Sequence, residues 1–178
     1  MIKKILLLII LSLATISCDS EPQEKTYTIV LDKEEYEKRV AEIENEINNK
    51  NYEKAEEMLL EIAKYNKAAY VRIATMYYEA GKTDESEKWF KIAYDEGNKE
   101  VSGSLGDIYS ERREYEKAEQ YYREYIKLGN LEGYKNLGYM FEREGKIDEA
   151  TKLYIEGAKL KDAHSIYSLV RIYYLKND

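Results

Sequence analysis

Two short segments return at a step of 32 residues, and that step limits the chain to one kind of architecture. Leu105-Gly106-Asp107-Ile108-Tyr109 comes back as Leu137-Gly138-Tyr139-Met140-Phe141, and Glu116-Lys117-Ala118 as Asp148-Glu149-Ala150. The same frame runs back to Ile73-Ala74 and Tyr77, and forward to Leu169-Val170 and Tyr173. Self-similarity at a fixed step of about 20–50 residues marks a stacked array, in which each unit covers the open apolar face of its neighbour.

The units are helical. The chain holds a single proline, and its apolar residues recur at spacings of three and four, the period of one helix face. Tyr36, Val40, Ile43 and Ile47 mark a first helix, with Asp32 as its cap and Glu35 three residues on. Tyr52, Ala55, Met58-Leu59 and Ile62-Ala63 mark a second, after the turn Asn48-Asn49-Lys50-Asn51. Three further pairs follow, and a helix from Ala163 closes the array, so four pairs and one closing helix are expected. Glycine in mid-helix costs about 1 kcal/mol against alanine. Gly106 and Gly138 therefore point to a close approach by a neighbouring helix, with Ala74 in the same role. Ser86, Ala118 and Ala150 serve the facing helix likewise, and Tyr77, Tyr109, Phe141 and Tyr173 fill the space between. On the closing helix, Ile166, Leu169, Ile172 and Tyr173 are expected to cover the fourth pair. Tyr174 and Leu175 point elsewhere, which makes this end a candidate contact for a second copy, a homo-oligomer through the C-terminal helix.

The first residues form an address. Lys3 and Lys4 precede the apolar run Ile5–Leu11, which is too short to span a bilayer comfortably and has the plan of a secretory signal. The segment ends Ala14-Thr15-Ile16-Ser17-Cys18. This resembles the lipobox of bacterial lipoproteins, with Thr15 where leucine is usual. The resemblance implies removal of residues 1–17, lipid on Cys18 and a membrane-anchored lipoprotein of the bacterial cell envelope. Residues 18–31 then form the lipidated N-terminus and a polar tether, and 32–178 the repeat domain.

The chain carries a net charge of −7, and loss of Lys3 and Lys4 with the leader brings it near −9. Such acidity argues against a nucleic-acid backbone as partner. With one cysteine and one histidine, an internal disulfide and a Cys/His zinc site are both excluded, and neither a phosphate-binding loop nor any cofactor motif is present. Glu34-Glu35, Glu56-Glu57 and Asp148-Glu149 read as solvated helix faces. His164, behind Asp162, reads as a surface residue, and Trp89 as a core residue. No catalytic set emerges, and the expectation is that the chain is not an enzyme.

The pattern Leu-Gly-x-x-Tyr, a glycine-containing turn, then Ala-x-x-x-Tyr/Phe-x-x-Ala resembles the tetratricopeptide repeat, whose unit is 34 residues. Ser86-x-x-Trp89-Phe90-x-x-Ala93-Tyr94-x-x-Gly97-Asn98 also resembles the Sel-one-like repeat, although Glu111-Arg112-Arg113-Glu114 leaves no room for that family's longer turn. Gly97 and Gly129 stand where the tetratricopeptide repeat has its helix-ending proline. The resemblance implies an all-α, right-handed solenoid of antiparallel helix pairs, with the first helix of each pair lining a concave groove for a protein or peptide. Carried across residue by residue, the groove holds Val71, Arg72, Thr75, Tyr78 and Glu79, then Asp107, Ser110 and Glu111. Lys135, Asn136, Tyr139, Glu142 and Arg143 follow, and the closing helix adds Tyr167, Arg171 and Tyr174, with His164 beside them. The inner positions Thr75, Asp107, Tyr139 and Arg171 all differ, so the clamp for a C-terminal carboxylate found in some relatives is not reproduced. The expected function is a lipid-anchored adaptor. The rivals are a cell-wall enzyme or enzyme accessory working through groove carboxylates such as Asp107 and Glu142, and a self-assembling spacer.

Overall fold

The computed structural model describes residues 33–177. The leader, Cys18, the tether and the cap at Asp32 lie outside the described residues. Among those described there are nine α-helices and no strand: α1 Lys33–Asn48, α2 Tyr52–Ala63, α3 Ala68–Glu79, α4 Thr83–Asp95, α5 Ser102–Glu111, α6 Tyr115–Lys127, α7 Glu132–Arg143, α8 Ile147–Lys159 and α9 Ala163–Asn177. A single 3₁₀ turn, Lys99–Val101, leads into α5. The helices form four antiparallel pairs and a closing helix, as the 32-residue step predicts, in the right-handed solenoid that the tetratricopeptide resemblance implies.

The size rhythm sets how the helices of a pair meet. A Cβ added at Gly106 would lie 2.6 Å from Cδ1 and Cε1 of Tyr122 on α6. At Gly138 it would lie 2.5 Å from Cζ of Tyr154 on α8. In these two pairs a tyrosine ring of the second helix lies against the backbone of the first, where only glycine leaves the space. Ser86, Ala118 and Ala150 are all fully buried, as are Leu105 and Leu137. Tyr77, Tyr109 and Phe141 fill the interval between pairs at 4%, 3% and 5% exposure. Trp89 is buried and stacks on Tyr70 with ring centroids 5.9 Å apart.

Reversals between helices follow the same frame. Gly81 and Gly145 close α3 and α7, and Gly97 and Gly129 close α4 and α6, all with positive φ. At three equivalent turns a non-glycine takes that conformation: Lys50 at φ 61°, Arg113 at 61° and Lys161 at 64°.

Three expectations need correction. Tyr173 is 66% exposed and Ile166 46%, so neither covers the fourth pair. That work falls to Ile172, to half-buried Leu169 and to Ser165 and Ser168, both serines fully buried. The reason is at Gly157, where a Cβ would meet that of Ser165 at 3.0 Å: α8 and α9 touch through small residues. On α1, Ile43 is the one core residue, and Tyr36 is 46% exposed. Glu56, read as part of a solvated face, is half-buried and accepts hydrogen bonds from Tyr77 Oη at 2.6 Å and Trp89 Nε1 at 3.2 Å.

Candidate partner-binding face

The first helices α1, α3, α5, α7 and α9 stand side by side, joined by side chains across each gap. Arg72 of α3 pairs with Glu44 of α1. Tyr78 of α3 donates to Glu111 of α5 at 2.8 Å, and Asn136 of α7 donates to Asp107 of α5 at 3.2 Å. Arg171 of α9 donates to both carboxylate oxygens of Glu142 on α7, each at 2.6 Å. Both bonds come from one guanidinium nitrogen, Nη2, which the two carboxylate oxygens share.

The second helices reach the same face from behind. Tyr122 passes over Gly106 and donates to Asp107 at 2.7 Å. Tyr154 passes over Gly138 and donates to Glu142 at 2.7 Å, its ring edge-on to Tyr139 at 6.2 Å. Burial drives the Asp107 carboxyl above its usual range, against the opposing pull of the Tyr122 hydroxyl. Burial likewise raises the Tyr122 and Tyr154 phenols, helped by the carboxylates they face. Both tyrosines therefore act as neutral donors. Tyr78 rises to about 12 through burial and its bond to Glu111.

The proposed groove residues fall into three groups. Tyr78, Glu79, Glu111, Tyr139, Arg143, Tyr167 and Tyr174 are exposed, as is His164. Val71, Arg72, Thr75, Asp107, Lys135, Asn136, Glu142 and Arg171 are half-buried, and five of these, Arg72, Asp107, Asn136, Glu142 and Arg171, belong to the bridges just described. Ser110 is only 5% exposed and offers no surface to a partner. Charge changes sign along the face. Asp107, Glu79 and Glu111 sit toward α3 and α5, while Lys135, Arg143 and Arg171 sit on α7 and α9.

A second set of bridges was not anticipated. Glu87 accepts from Tyr109 Oη at 2.5 Å, from Lys91 at 2.6 Å and from Arg112. Burial pushes its carboxyl upward, but the bonds from Lys91, Tyr109 and Arg112 outweigh that and hold it at about 2. Glu56 and Glu87 each directly follow the small residue of the second helix, Ala55 or Ser86, and each meets the tyrosine of the next first helix, so the position was recoverable from the frame.

Among the described residues no group of His, Cys, Asp and Glu is placed to hold a metal ion, and no helix is long and apolar enough to cross a membrane. Two shallow clefts lie between helices, one of about 290 Å³ between α1 and α2 and one of about 320 Å³ between α6 and α8, beside Phe141 and Leu153. Side-by-side helices, an open face and mixed tyrosine and charge are features of interaction scaffolds.

Comparisons with known proteins agree with that class. Residues 41–101 and 101–132 match models of the tetratricopeptide repeat. The protein is thus an α-solenoid carrying tetratricopeptide repeats over 41–132, and the frame of Gly106 and Tyr122 carries on through Gly138 and Tyr154. No curated protein sequence matches the chain. Among solved structures, BtubC (BKLC) from P. vanneervenii is similar at a TM-score of 0.63 and 17% identity, over 80% of this chain and 73% of that one. MamA 41-end from Desulfovibrio magneticus RS-1 is similar at 0.60 and 12%, over 80% and 85%. MamA AMB-1 is similar at 0.57 and 15%, over 82% and 85%. At these identities the likeness is one of fold. Tetratricopeptide arrays are typically non-catalytic protein-interaction scaffolds.

Proposed function

We propose that this protein is a lipid-anchored adaptor of the bacterial cell envelope, holding a protein or peptide partner on the face formed by its first helices. The observation that carries the reading is the row of exposed tyrosines, Tyr78, Tyr139, Tyr167 and Tyr174, set among charged residues on helices locked together by bridges. Tyrosine supplies contact area at low entropy cost, and a pre-braced face loses little freedom on binding. The reversal of charge along the face selects a direction. A bound segment would place basic residues near Glu79 and Glu111 and acidic residues near Arg143. The rival enzyme reading needs carboxylates that are available to a substrate. Asp107 and Glu142 are instead tied to Tyr122, Asn136, Tyr154 and Arg171.

The anchor rests on the leader and Cys18 alone. Growth with radioactive palmitate labels the protein if Cys18 carries lipid, and Cys18→Ser abolishes the label; an unlabelled wild type refutes the anchor. For the adaptor role, the full chain is captured from membranes alongside a Tyr139→Ala/Arg143→Glu variant, both residues being exposed. Support is a defined protein that the wild type retains and the folded variant loses. Retention of the same proteins by both would refute this face as the binding site.

A further inference from the structure

The turns along the two edges of the array differ in kind. Because the pairs are antiparallel, every first helix begins, and every second helix ends, at one edge. The turns of that edge carry Tyr65 at 58% exposure, Leu128 at 42%, Leu131 at 39% and Leu160 at 54%. The turns of the opposite edge, at 49–51, 80–82, 112–114 and 144–146, hold no exposed large apolar side chain among the described residues.

The apolar tips come with unpaired cations. Lys127-Leu128 on the α6–α7 turn returns one 32-residue step later as Lys159-Leu160 on the α8–α9 turn, where Lys161 follows. All three lysines are exposed and have no ion pair among the described residues. The carboxylates of the same turns are engaged: Glu132 with Lys135 at 3.0 Å, and Asp162 with the backbone N–H and hydroxyl of Ser165 at 2.8 and 2.5 Å. Asp95-Glu96 hold the same frame positions on the α4–α5 turn, and Glu96 is paired with Lys67 at 3.1 Å. The lysine–leucine pattern thus belongs to the two later turns. An apolar tip flanked by ammonium groups matches the boundary of a bilayer, where acyl chains meet charged headgroups. Tyrosine also sits at that level, with its ring in the apolar part and its hydroxyl wet.

We infer that this edge rests on an anionic lipid bilayer, with Leu128, Leu131 and Leu160 entering the headgroup region and Lys127, Lys159 and Lys161 meeting lipid phosphates. The inference deepens the lipid anchor proposed above and rests on it. Helix α1 begins with Lys33 at this same edge. The path to a lipid on Cys18 therefore leaves from here and not from the opposite edge, a helix length of about 20 Å away. Residues 18–31, fully extended, reach about 50 Å at most, so the anchored domain stays beside the bilayer. Separate apolar tips with cations between them suit a fluid surface, which needs no shaped recess. Each lysine near an anionic leaflet contributes about 1 kcal/mol, and that orients a domain the lipid already holds. The helices then run along the membrane normal, and the face of Tyr78 and Tyr139 stands clear of the lipid.

The test uses the full chain, isolated from the membranes of expressing bacteria and reconstituted in vesicles of phosphatidylethanolamine and phosphatidylglycerol. With Cys18 lipidated, an introduced cysteine is the only free thiol in the chain. An environment-sensitive fluorophore is attached through Leu131→Cys on this edge, or through Glu116→Cys, exposed in the first turn of α6 at the opposite edge. The expected result is blue-shifted emission from the first site that spin-labelled lipids quench, and unshifted, unquenched emission from the second. Leu128→Glu/Leu160→Glu, at exposed positions that leave the helical circular dichroism unchanged, abolishes the shift and the quenching while the protein stays on the vesicles. Lys127→Glu/Lys159→Glu weakens both. Unquenched emission from the first site on vesicle-bound protein would overturn the inference and leave the anchor standing. So would equal quenching at the two sites, or quenching that persists unchanged in both variants. A blue shift without lipid quenching would overturn it in favour of a protein neighbour on this edge. A wild-type chain that stays off the vesicles and whose Cys18 takes the fluorophore would refute the anchor, and the inference with it.

Discussion

Replacing Gly138 by alanine tests the packing rule on which the array depends. In an exposed helix this change is favourable by about 1 kcal/mol. Here the new methyl would lie 2.5 Å from Cζ and 2.8 Å from Oη of Tyr154, distances that real Cβ atoms essentially never show. Tyr154 is fully buried and cannot swing into solvent without opening the pair. Overpacking of this kind costs about 1–3 kcal/mol. A displaced ring also loses the 2.7 Å bond to Glu142, and a hydrogen bond to a charged group contributes about 1.5–3 kcal/mol. Taking about 2 for each loss and about 1 for the propensity gain leaves a net destabilisation of about 3 kcal/mol. For a chain of this size that lowers Tm by about 6–12 °C. The assay is thermal melting followed by helical circular dichroism, run as a double-mutant cycle with Tyr154→Leu. Leucine lacks the ring atoms that meet the methyl, so in that background Gly138→Ala is expected to be neutral or mildly stabilising. An unchanged or higher Tm for the single mutant, or an equal fall in both backgrounds, would refute the close approach.

Three further outcomes follow from the same contacts. Phe141 occupies the frame position of Tyr77 and Tyr109, and Glu119 that of Glu87; Phe141→Tyr is therefore expected to complete the missing bridge and add about 0.5–1.5 kcal/mol, read as a higher urea midpoint at unchanged slope. The Glu87 carboxyl, ordinarily at 4.5, is held at about 2; its stabilisation is complete above pH 4.5 and lost as pH falls toward 2, amounting to about 2 kcal/mol after solvent screening. Glu87→Gln should flatten that part of the acid-denaturation profile, and an identical profile would remove the bridge from the account. Lys161 holds φ at 64°, a conformation that costs a side-chain-bearing residue about 1 kcal/mol; Lys161→Gly is expected to raise Tm slightly, and a marked fall would show that the lysine side chain contributes more than its backbone strain costs.

Which parts of this molecule could be read from its sequence depends on how far apart the interacting residues lie. Gly106 and Tyr122, like Gly138 and Tyr154, are 16 residues apart within one hairpin. A small residue and a large one in fixed step are enough to show that they meet. The destination of the tyrosine hydroxyl was not legible. It lies beyond the glycine on the first helix, which the ring reaches only because no Cβ stands in its way. Bridges such as Tyr78 to Glu111 or Arg171 to Glu142 join different pairs. Many carboxylates occur at helical spacing, and pattern alone does not say which one a given donor reaches. The α9 contact was missed for a different reason. Apolar periodicity favoured Ile166 and Tyr173, while the covered positions are Ser165 and Ser168. A signal was present: Ala69, Val101, Gly133 and Ser165 stand at 32-residue steps and all are buried. That series marks where each first helix meets the second helix of the preceding pair, and it tolerates serine because the space there is small rather than oily.

The glycines also explain why this face can be both rigid and polar. A carboxylate such as Glu142 at 16% side-chain exposure would ordinarily lose much of its hydration to a neighbouring helix. Here Tyr154 and Arg171 replace the lost water from two directions, one through the backbone gap at Gly138 and one from the next repeat. The same atoms that join successive repeats therefore present fixed charge to solvent. Removing the gap would strain the packing of the pair and take away the bracing of the proposed binding face. Stability and partner selection are thus coupled at Gly106 and Gly138. A substitution at either should weaken partner binding by more than the fraction of unfolded chain accounts for, because the folded remainder has lost the positions of Asp107 and Glu142 as well.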